Sequence, residues 1–346
     1  MLDRLGLETP IIQAPMAGVS TPALAAAVSN AGALGSIAVG ATDAAGADAM
    51  IRDLAGRTDR AFNVNLFVHA TPLPDAAVEA AWINALSPLF QQFDATPPAG
   101  LRTIYQSFND DDAMLAVLLD RPPPVVSFHF GLPDPARVRA LKAAGCVLMA
   151  TATCLDEARA IQAAGLDVVI AQGFEAGGHR GVFDPDASDA GLGVMALTRL
   201  LVSSLDIPVI AAGGIMDGAG VRAALDLGAV AAQLGTAFIA CDESAADAAY
   251  RTALSSEGAA QTIMTRAISG RPARSLPNRF TDWSRSTRAR PPAYPIAYDA
   301  GKALNAAARA AGDAGFGAQW AGQGAPLTRP IPAAALIALL RRELAA

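Results

Sequence analysis

Val168-Val169-Ile170-Ala171-Gln172-Gly173-Phe174-Glu175-Ala176-Gly177-Gly178-His179-Arg180-Gly181 is the stretch on which the fold turns. It opens with three β-branched residues, and Gly165 and Gly173 bound the apolar run. That is the pattern of a strand buried on both faces. A glycine-rich loop with one histidine, His179, follows. Gly177, Gly178 and Gly181 permit positive φ and let the backbone approach a ligand closely. Gln172 stands at the strand end, where its amide can donate and accept at the mouth of a sheet. Taken alone, the segment fits equally a strand and a flexible turn with a surface histidine.

The same unit recurs on both sides. Short apolar runs at 11–14, 34–39, 61–66, 125–130, 146–150, 167–171, 207–211 and 229–234 read as strands. Alanine-rich helical stretches follow most of them. Thr21-Pro22 opens the first helix, with the threonine as cap and the proline at the first helical position. Eight strands alternating with helices is the count of an α/β (β/α)8 TIM barrel. A doubly wound open sheet is the rival, with fewer strands as a rule. After Thr236 the pattern changes. Segment 266–290 carries seven arginines against one acid, Asp282, and reads as irregular, whereas 295–311 and 332–345 read as helices. We expect residues 1–244 and 329–346 to form the barrel and 245–328 an inserted, mainly helical cap.

Composition narrows the function. The chain has 346 residues and a net charge of −6, which argues against general nucleic-acid binding. Cys146, Cys154 and Cys241 form no CxxC pair and read as reduced thiols of a cytoplasmic protein. His69, His129 and His179 lie too far apart for metal-ligand spacing, so no metal is expected. No apolar run approaches a membrane span. The expected state is a monomer or homodimer.

In a barrel of this kind the chemistry sits at the carboxyl ends of the strands. The unusual residues collect there. Gln13, Pro15, Met16 and Gly18 end the first run, and Asn63 and Asn65 share a parity in the third. Ser127 and His129 share one in the fourth, opposite to Val126, Phe128 and Phe130. Period two then turns His129 into the barrel mouth and the apolar set against the helices. Gly213-Gly214 and Gly235-Thr236 end the seventh and eighth runs, where this fold commonly binds phosphate through backbone N–H groups. Tyr294, Tyr298 and Lys302 lie four apart, a spacing that stacks them on one helix face. The chain has only four tyrosines and two lysines. Two phenols and an ammonium on one face make a wall for an anion.

With these motifs in hand, the chain resembles the nitronate monooxygenases, over nearly its whole length. The resemblance rests on Gln13-Ala14-Pro15-Met16-Ala17-Gly18-Val19-Ser20, Asn63-Val64-Asn65-Leu66-Phe67 and Ser127-Phe128-His129-Phe130-Gly131. It continues in the segment 172–181, Ala212-Gly213-Gly214-Ile215, Gln233-Leu234-Gly235-Thr236 and Ser269-Gly270-Arg271. Ala17 departs from the second glycine of many members. The resemblance implies FMN, a barrel plus cap, and oxidation of alkyl nitronates such as propionate 3-nitronate by O₂. It implies FMN contacts at Ala14, Pro15, Met16, Asn65, Gln172, Gly177, Gly178, Gly213, Gly214, Gln233, Gly235 and Thr236. His179 and His129 would be catalytic, and Tyr105, His129, Tyr294, Tyr298 and Lys302 would line the substrate pocket. The same FMN loops would also serve a reductase using NAD(P)H, of the quinone or enoyl type.

Overall fold

The computed structural model describes residues 3–346. Eight parallel strands form one sheet: β1 (Ile11–Gln13), β2 (Gly35–Ala38), β3 (Phe62–Phe67), β4 (Val125–His129), β5 (Val147–Ala152), β6 (Val168–Gln172), β8 (Val209–Ala212) and β9 (Ala231–Leu234). The two-residue strand β7 (Gly178–His179) belongs elsewhere, as described below. Sheet order runs β1-β9-β8-β6-β5-β4-β3-β2. The ends meet through a parallel bridge between Ile12 and Leu34. The Leu34 N–H donates to the Ile11 carbonyl at 3.1 Å, and the Gln13 N–H to the Leu34 carbonyl at 2.9 Å. The sheet is therefore a closed (β/α)8 barrel, as the strand count predicts.

Side-chain parity sorts the two faces. Val125, Val147, Met149, Val168, Ile170 and Ile210 fill the interior. Val126, Phe128, Leu148 and Val169 pack outward against the helices. Polar residues of inward parity make a layer above the apolar plug. Asn65 Nδ2 donates to Ser127 Oγ at 2.9 Å, and Asn63 Nδ2 to the same hydroxyl at 3.0 Å. The Ser36 N–H donates to Gln13 Oε1 at 2.8 Å. These bonds satisfy groups whose burial would otherwise cost about 1–3 kcal/mol each. Phe130 breaks the expected pattern. At φ +77° it leaves the strand and joins Phe67, Tyr105 and Tyr294 over the barrel mouth instead of packing on helices.

The first helix begins at the expected Thr21 cap, and carboxylates cap three more. Thr21 Oγ accepts the Leu24 N–H at 2.9 Å, and Asp43, Asp217 and Asp247 cap their helices in the same way. Each cap contributes on the order of 1 kcal/mol. The last helix, Ala333–Ala345, buries Leu336, Ile337 and Leu340 against the helices Pro22–Asn30 and Gly218–Asp226. It thus seals the seam between the first and last units.

A second layer covers the carboxyl ends of the strands. β10 (Ile263–Thr265), β11 (Ala273–Ser275) and β7 form a small antiparallel sheet, with His179 opposite Ala273. The segment read as irregular thus holds a strand and also a helix, Arg279–Ser286. Helix Ile296–Ala310 packs on helix Ala76–Gln91, with Trp82, Leu86, Phe90, Ala300, Leu304 and Phe316 in one apolar cluster. The stretch after β3 therefore belongs to this upper layer. The barrel-side helix at that position is Asp112–Asp120.

Candidate active site

The second layer roofs a cavity of about 380 Å³ at the carboxyl ends of the strands. That size falls within the range of small-molecule sites. Every residue that the resemblance assigned to cofactor, catalysis or substrate lines it, whereas Gln13, Asn63 and Ser127 lie in the polar layer beneath. Ala14, Pro15, Met16, Asn65, Gln172, Gly177, Gly178, Gly213, Gly214, Gln233, Gly235 and Thr236 are in the cavity wall. So are Tyr105, His129, His179, Tyr294, Tyr298 and Lys302. The sequence reading missed Tyr250, Thr151 and Trp320, which also line it. A signal for Tyr250 was available: all four tyrosines of the chain face this one space.

The loop after β6 is held rigidly. Gln172 Nε2 donates to the His179 carbonyl at 3.0 Å, and Gln172 Oε1 accepts the Gly181 N–H at 2.8 Å. One amide thus clamps both ends of the turn carrying His179. Arg180 is buried and paired with both oxygens of Asp189 at 2.7 and 3.1 Å. That pairing holds the Asp189 carboxyl below its usual range.

The two histidines differ. His129 Nδ1 lies 3.1 Å from Thr151 Oγ1, and Nε2 lies 3.2 Å from the His179 carbonyl. A carbonyl can only accept, so Nε2 carries the proton and Nδ1 accepts from the threonine. Both ring nitrogens are thus taken by the protein. His179 Nε2 lies 2.8 Å from Ser269 Oγ, and its Nδ1 has no protein partner among the described residues. Its ring stands 5.5 Å from Tyr294, 6.1 Å from Tyr298 and 5.2 Å from Trp320.

Burial lowers the pKa of His179 to about 3, helped by His129 and Arg271; burial likewise lowers His129 to about 4. Buried here, His179 is a weaker base than a free imidazole. His69 beside Tyr294 is also pushed down by burial, to about 4. The unfolded chain takes up these protons near pH 6.5, before the folded one does. The contribution of these groups is therefore present above about pH 6.5 and is lost as the pH falls toward 4 and 3. The urea midpoint is expected to fall between pH 7 and pH 4.5, and to fall less once His69 is replaced by Phe.

Lys302 is half-buried, with Nζ 4.9 Å from the Tyr105 ring centroid and 5.6 Å from that of Tyr298. Burial lowers its pKa. Among the described residues no carboxylate lies within 4 Å of it; Asp299, one turn away, pairs with Arg102. An ammonium on a cavity wall without a counter-ion suits an anionic ligand. Burial raises the Tyr105 phenol to about 12 and pushes Tyr298 higher still, so both remain hydrogen-bond donors.

The glycine loops of the cavity suit a flat heteroaromatic ring with an anionic tail. Gly213 and Gly214 take positive φ at +128° and +69°. A Cβ on Gly18 would meet nothing within 4 Å. Gln233 Oε1 is buried and lacks a partner, an acceptor waiting for a donor. The ring edge of a flavin carries such an N–H.

Fold and cavity together are those of a barrel enzyme with its site at the carboxyl ends of the strands. The family model for nitronate monooxygenase matches residues 1–343. The nitronate monooxygenase of Paraburkholderia phytofirmans is 60% identical over 99% of this chain and 94% of its own length. That of Pseudomonas aeruginosa is 55% identical over 99% of each. Among solved structures, the nitroalkane oxidase of Streptomyces ansochromogenes superposes with a TM-score of 0.91 at 45% identity, covering 100% of this chain and 98% of the other. FabK of Thermotoga maritima superposes with a TM-score of 0.73 at 30% identity, covering 99% and 94%. The chain belongs to the nitronate monooxygenase family, whose members are flavin-dependent oxidoreductases.

Proposed function

We propose that this protein oxidises alkyl nitronates with O₂, using FMN held in the cavity, and that it acts in the cytoplasm. The observation that supports the reading is the Lys302 ammonium, without a carboxylate partner among the described residues and framed by Tyr105 and Tyr298 in a cavity that the glycine loops also line. Gly213, Gly214, Gly235 and Thr236 would hold the phosphate, and Gln233, Asn65 and Ala14 to Met16 the ring. Bound there, FMN would accept electrons from the substrate; the protein supplies position and charge.

The chain's own residues do the rest. Lys302 and the tyrosine hydroxyls bind the anion and fix its orientation. A nitronate is already deprotonated at carbon, so the low basicity of His179 does not limit it. His179 lines the cavity with Nδ1 free of protein partners among the described residues; with its Nε2–H on Ser269 Oγ, Nδ1 is left as a proton acceptor. His129, bonded at both nitrogens, positions the His179 backbone. We assign the substrate-binding layer to residues 245–328 together with the excursion between β3 and β4, because helices from both share one core.

Oxygen uptake with propionate 3-nitronate tests the proposal, and rapid turnover is expected. The reductase reading predicts instead that NADPH bleaches the flavin quickly without oxygen; that outcome, with no nitronate turnover, would overturn the proposal. Replacing Lys302 by Met is expected to raise KM for the nitronate about 10- to 100-fold with little change in kcat. A charge-assisted hydrogen bond contributes about 1.5–3 kcal/mol, which converts to that range. A lower kcat at unchanged KM would remove Lys302 from substrate binding.

A further inference from the structure

Arg271 precedes β11 and is 3% exposed. Its Nη2 donates to the Val182 carbonyl and, at 3.1 Å, to that of Phe183. Its Nε has no partner. Among the described residues no carboxylate lies within 4 Å of the guanidinium. The two acids nearest in effect, Asp184 and Glu157, are engaged elsewhere: Glu157 accepts from Thr153 and Phe183, and Asp184 from the Asp186 N–H. Arg180 makes the contrast, since Asp189 neutralises it.

The uncompensated charge faces the site across one ring. The guanidinium carbon lies 4.3 Å from the Phe130 ring centroid. That ring in turn lies 4.5 Å from His129, 5.4 Å from His179, 5.3 Å from Tyr294 and 6.5 Å from His69. The turn at Phe130, with φ +77°, places the aromatic face there. An aromatic ring holds a cation without neutralising it. In a buried setting such a charge acts over several ångströms.

We propose that Arg271 is an electrostatic positioning residue whose buried, unpaired charge keeps His179 and His129 unprotonated and biases the cavity toward substrates that arrive as anions. The protonation part stands without the nitronate reading; the substrate part rests on it. The groups facing His179 are His129 on β4, Ser269 and Arg271 before β11, Tyr294 just before helix Ile296–Ala310, Tyr298 in its first turn, and Trp320. Among them Arg271 is the fixed charge; His129, which also meets Thr151, feels Arg180 as well, and Asp189 offsets that charge. Its sign agrees with the lowered pKa values of all three histidines, where it adds to burial.

Nitrogen-15 NMR of histidine-labelled holoprotein tests this in the wild type and in Arg271→Met and Arg271→Lys. The methionine variant keeps the stem but loses the charge; the lysine variant keeps the charge. In Arg271→Met the protonation midpoints of His129 and His179 are expected to rise by about one pH unit. Arg271→Lys should stay near the wild type. In steady state, Arg271→Met should raise KM for the nitronate several-fold while sparing kcat. Unchanged midpoints in a folded Arg271→Met protein, or equal shifts in both variants, overturn the proposal. If Arg271→Met does not fold, Arg271→Gln, which loses the charge but keeps a polar tip for the Val182 and Phe183 carbonyls, takes its place with the same two outcomes. Intact NMR shifts with no nitronate turnover would sink the substrate reading alone.

Discussion

Replacing His179 by Asn is expected to lower turnover of a neutral nitroalkane about 100-fold while lowering that of its nitronate less than about tenfold. A positioned general base contributes about 10²–10⁴ in rate. The nitroalkane must lose its α-proton before oxidation, and the nitronate has already lost it. The ring makes the difference measurable. Its Nε2 is tied to Ser269 and its Nδ1 is open to the cavity, so an imidazole can take a proton there. An asparagine amide can replace the hydrogen bond to Ser269 but cannot act as a base. Burial and Arg271 hold the imidazole pKa near 3, so the wild type should itself prefer nitronate to nitroalkane strongly. Initial rates with both forms of one compound, made by pre-equilibration at high pH, give both numbers. Equal losses on the two substrates would remove His179 from proton transfer and leave it a binding role.

Much of this site was legible because the barrel imposes a local rule. Strand ends lie at one mouth, and period two sends every second residue inward, so Asn65, Ser127 and His129 could be placed without coordinates. Scarcity marked Tyr294, Tyr298 and Lys302. Non-local contacts were not legible. Nothing in the sequence says that Gly178-His179 pairs with Ala273-Arg274, a partnership about ninety residues apart that adds the loop to a second sheet. Nor does it say that helix Ala76–Gln91 leaves the barrel's outer ring, because its amphipathic pattern is the same whichever core it meets. Phe130 followed its strand parity on paper but turns at positive φ in space, and it then separates a buried arginine from three histidines. Arg271 could be seen only as one member of a basic segment. Its missing carboxylate is a fact of packing.

The second large effect concerns Gly177, which the sequence marked for the right region and for an incomplete reason. Its substitution by Ala is expected to empty the site of flavin and to lower stability by about 1–3 kcal/mol, the range for overpacking a filled position. A Cβ there would stand 2.4 Å from the Gly322 nitrogen and 2.5 Å from the Ala321 carbonyl carbon. The converse also holds, since a Cβ on Gly322 would stand 2.7 Å from the Glu175 carbonyl oxygen. Two backbones therefore touch with no side chain between them. Neither can yield easily. The Gln323 N–H donates to the Glu175 carbonyl at 2.9 Å, the Gly322 N–H to Thr236 Oγ1 at 3.0 Å, and the Glu175 carboxylate accepts the Val194 N–H at 2.8 Å. Making room for one methyl group must displace the loop bearing His179, the Thr236 hydroxyl, or both, and each borders the cavity. The flavin-to-protein absorbance ratio and the thermal midpoint measure the two effects. Gly56→Ala is the control: at a helix end in right-handed geometry, with a nearest contact of 3.4 Å, it should leave both unchanged or raise the midpoint slightly. A Gly177→Ala protein that stays yellow and melts with the wild type would mean that the contact between the loop and segment 320–323 does not shape the site.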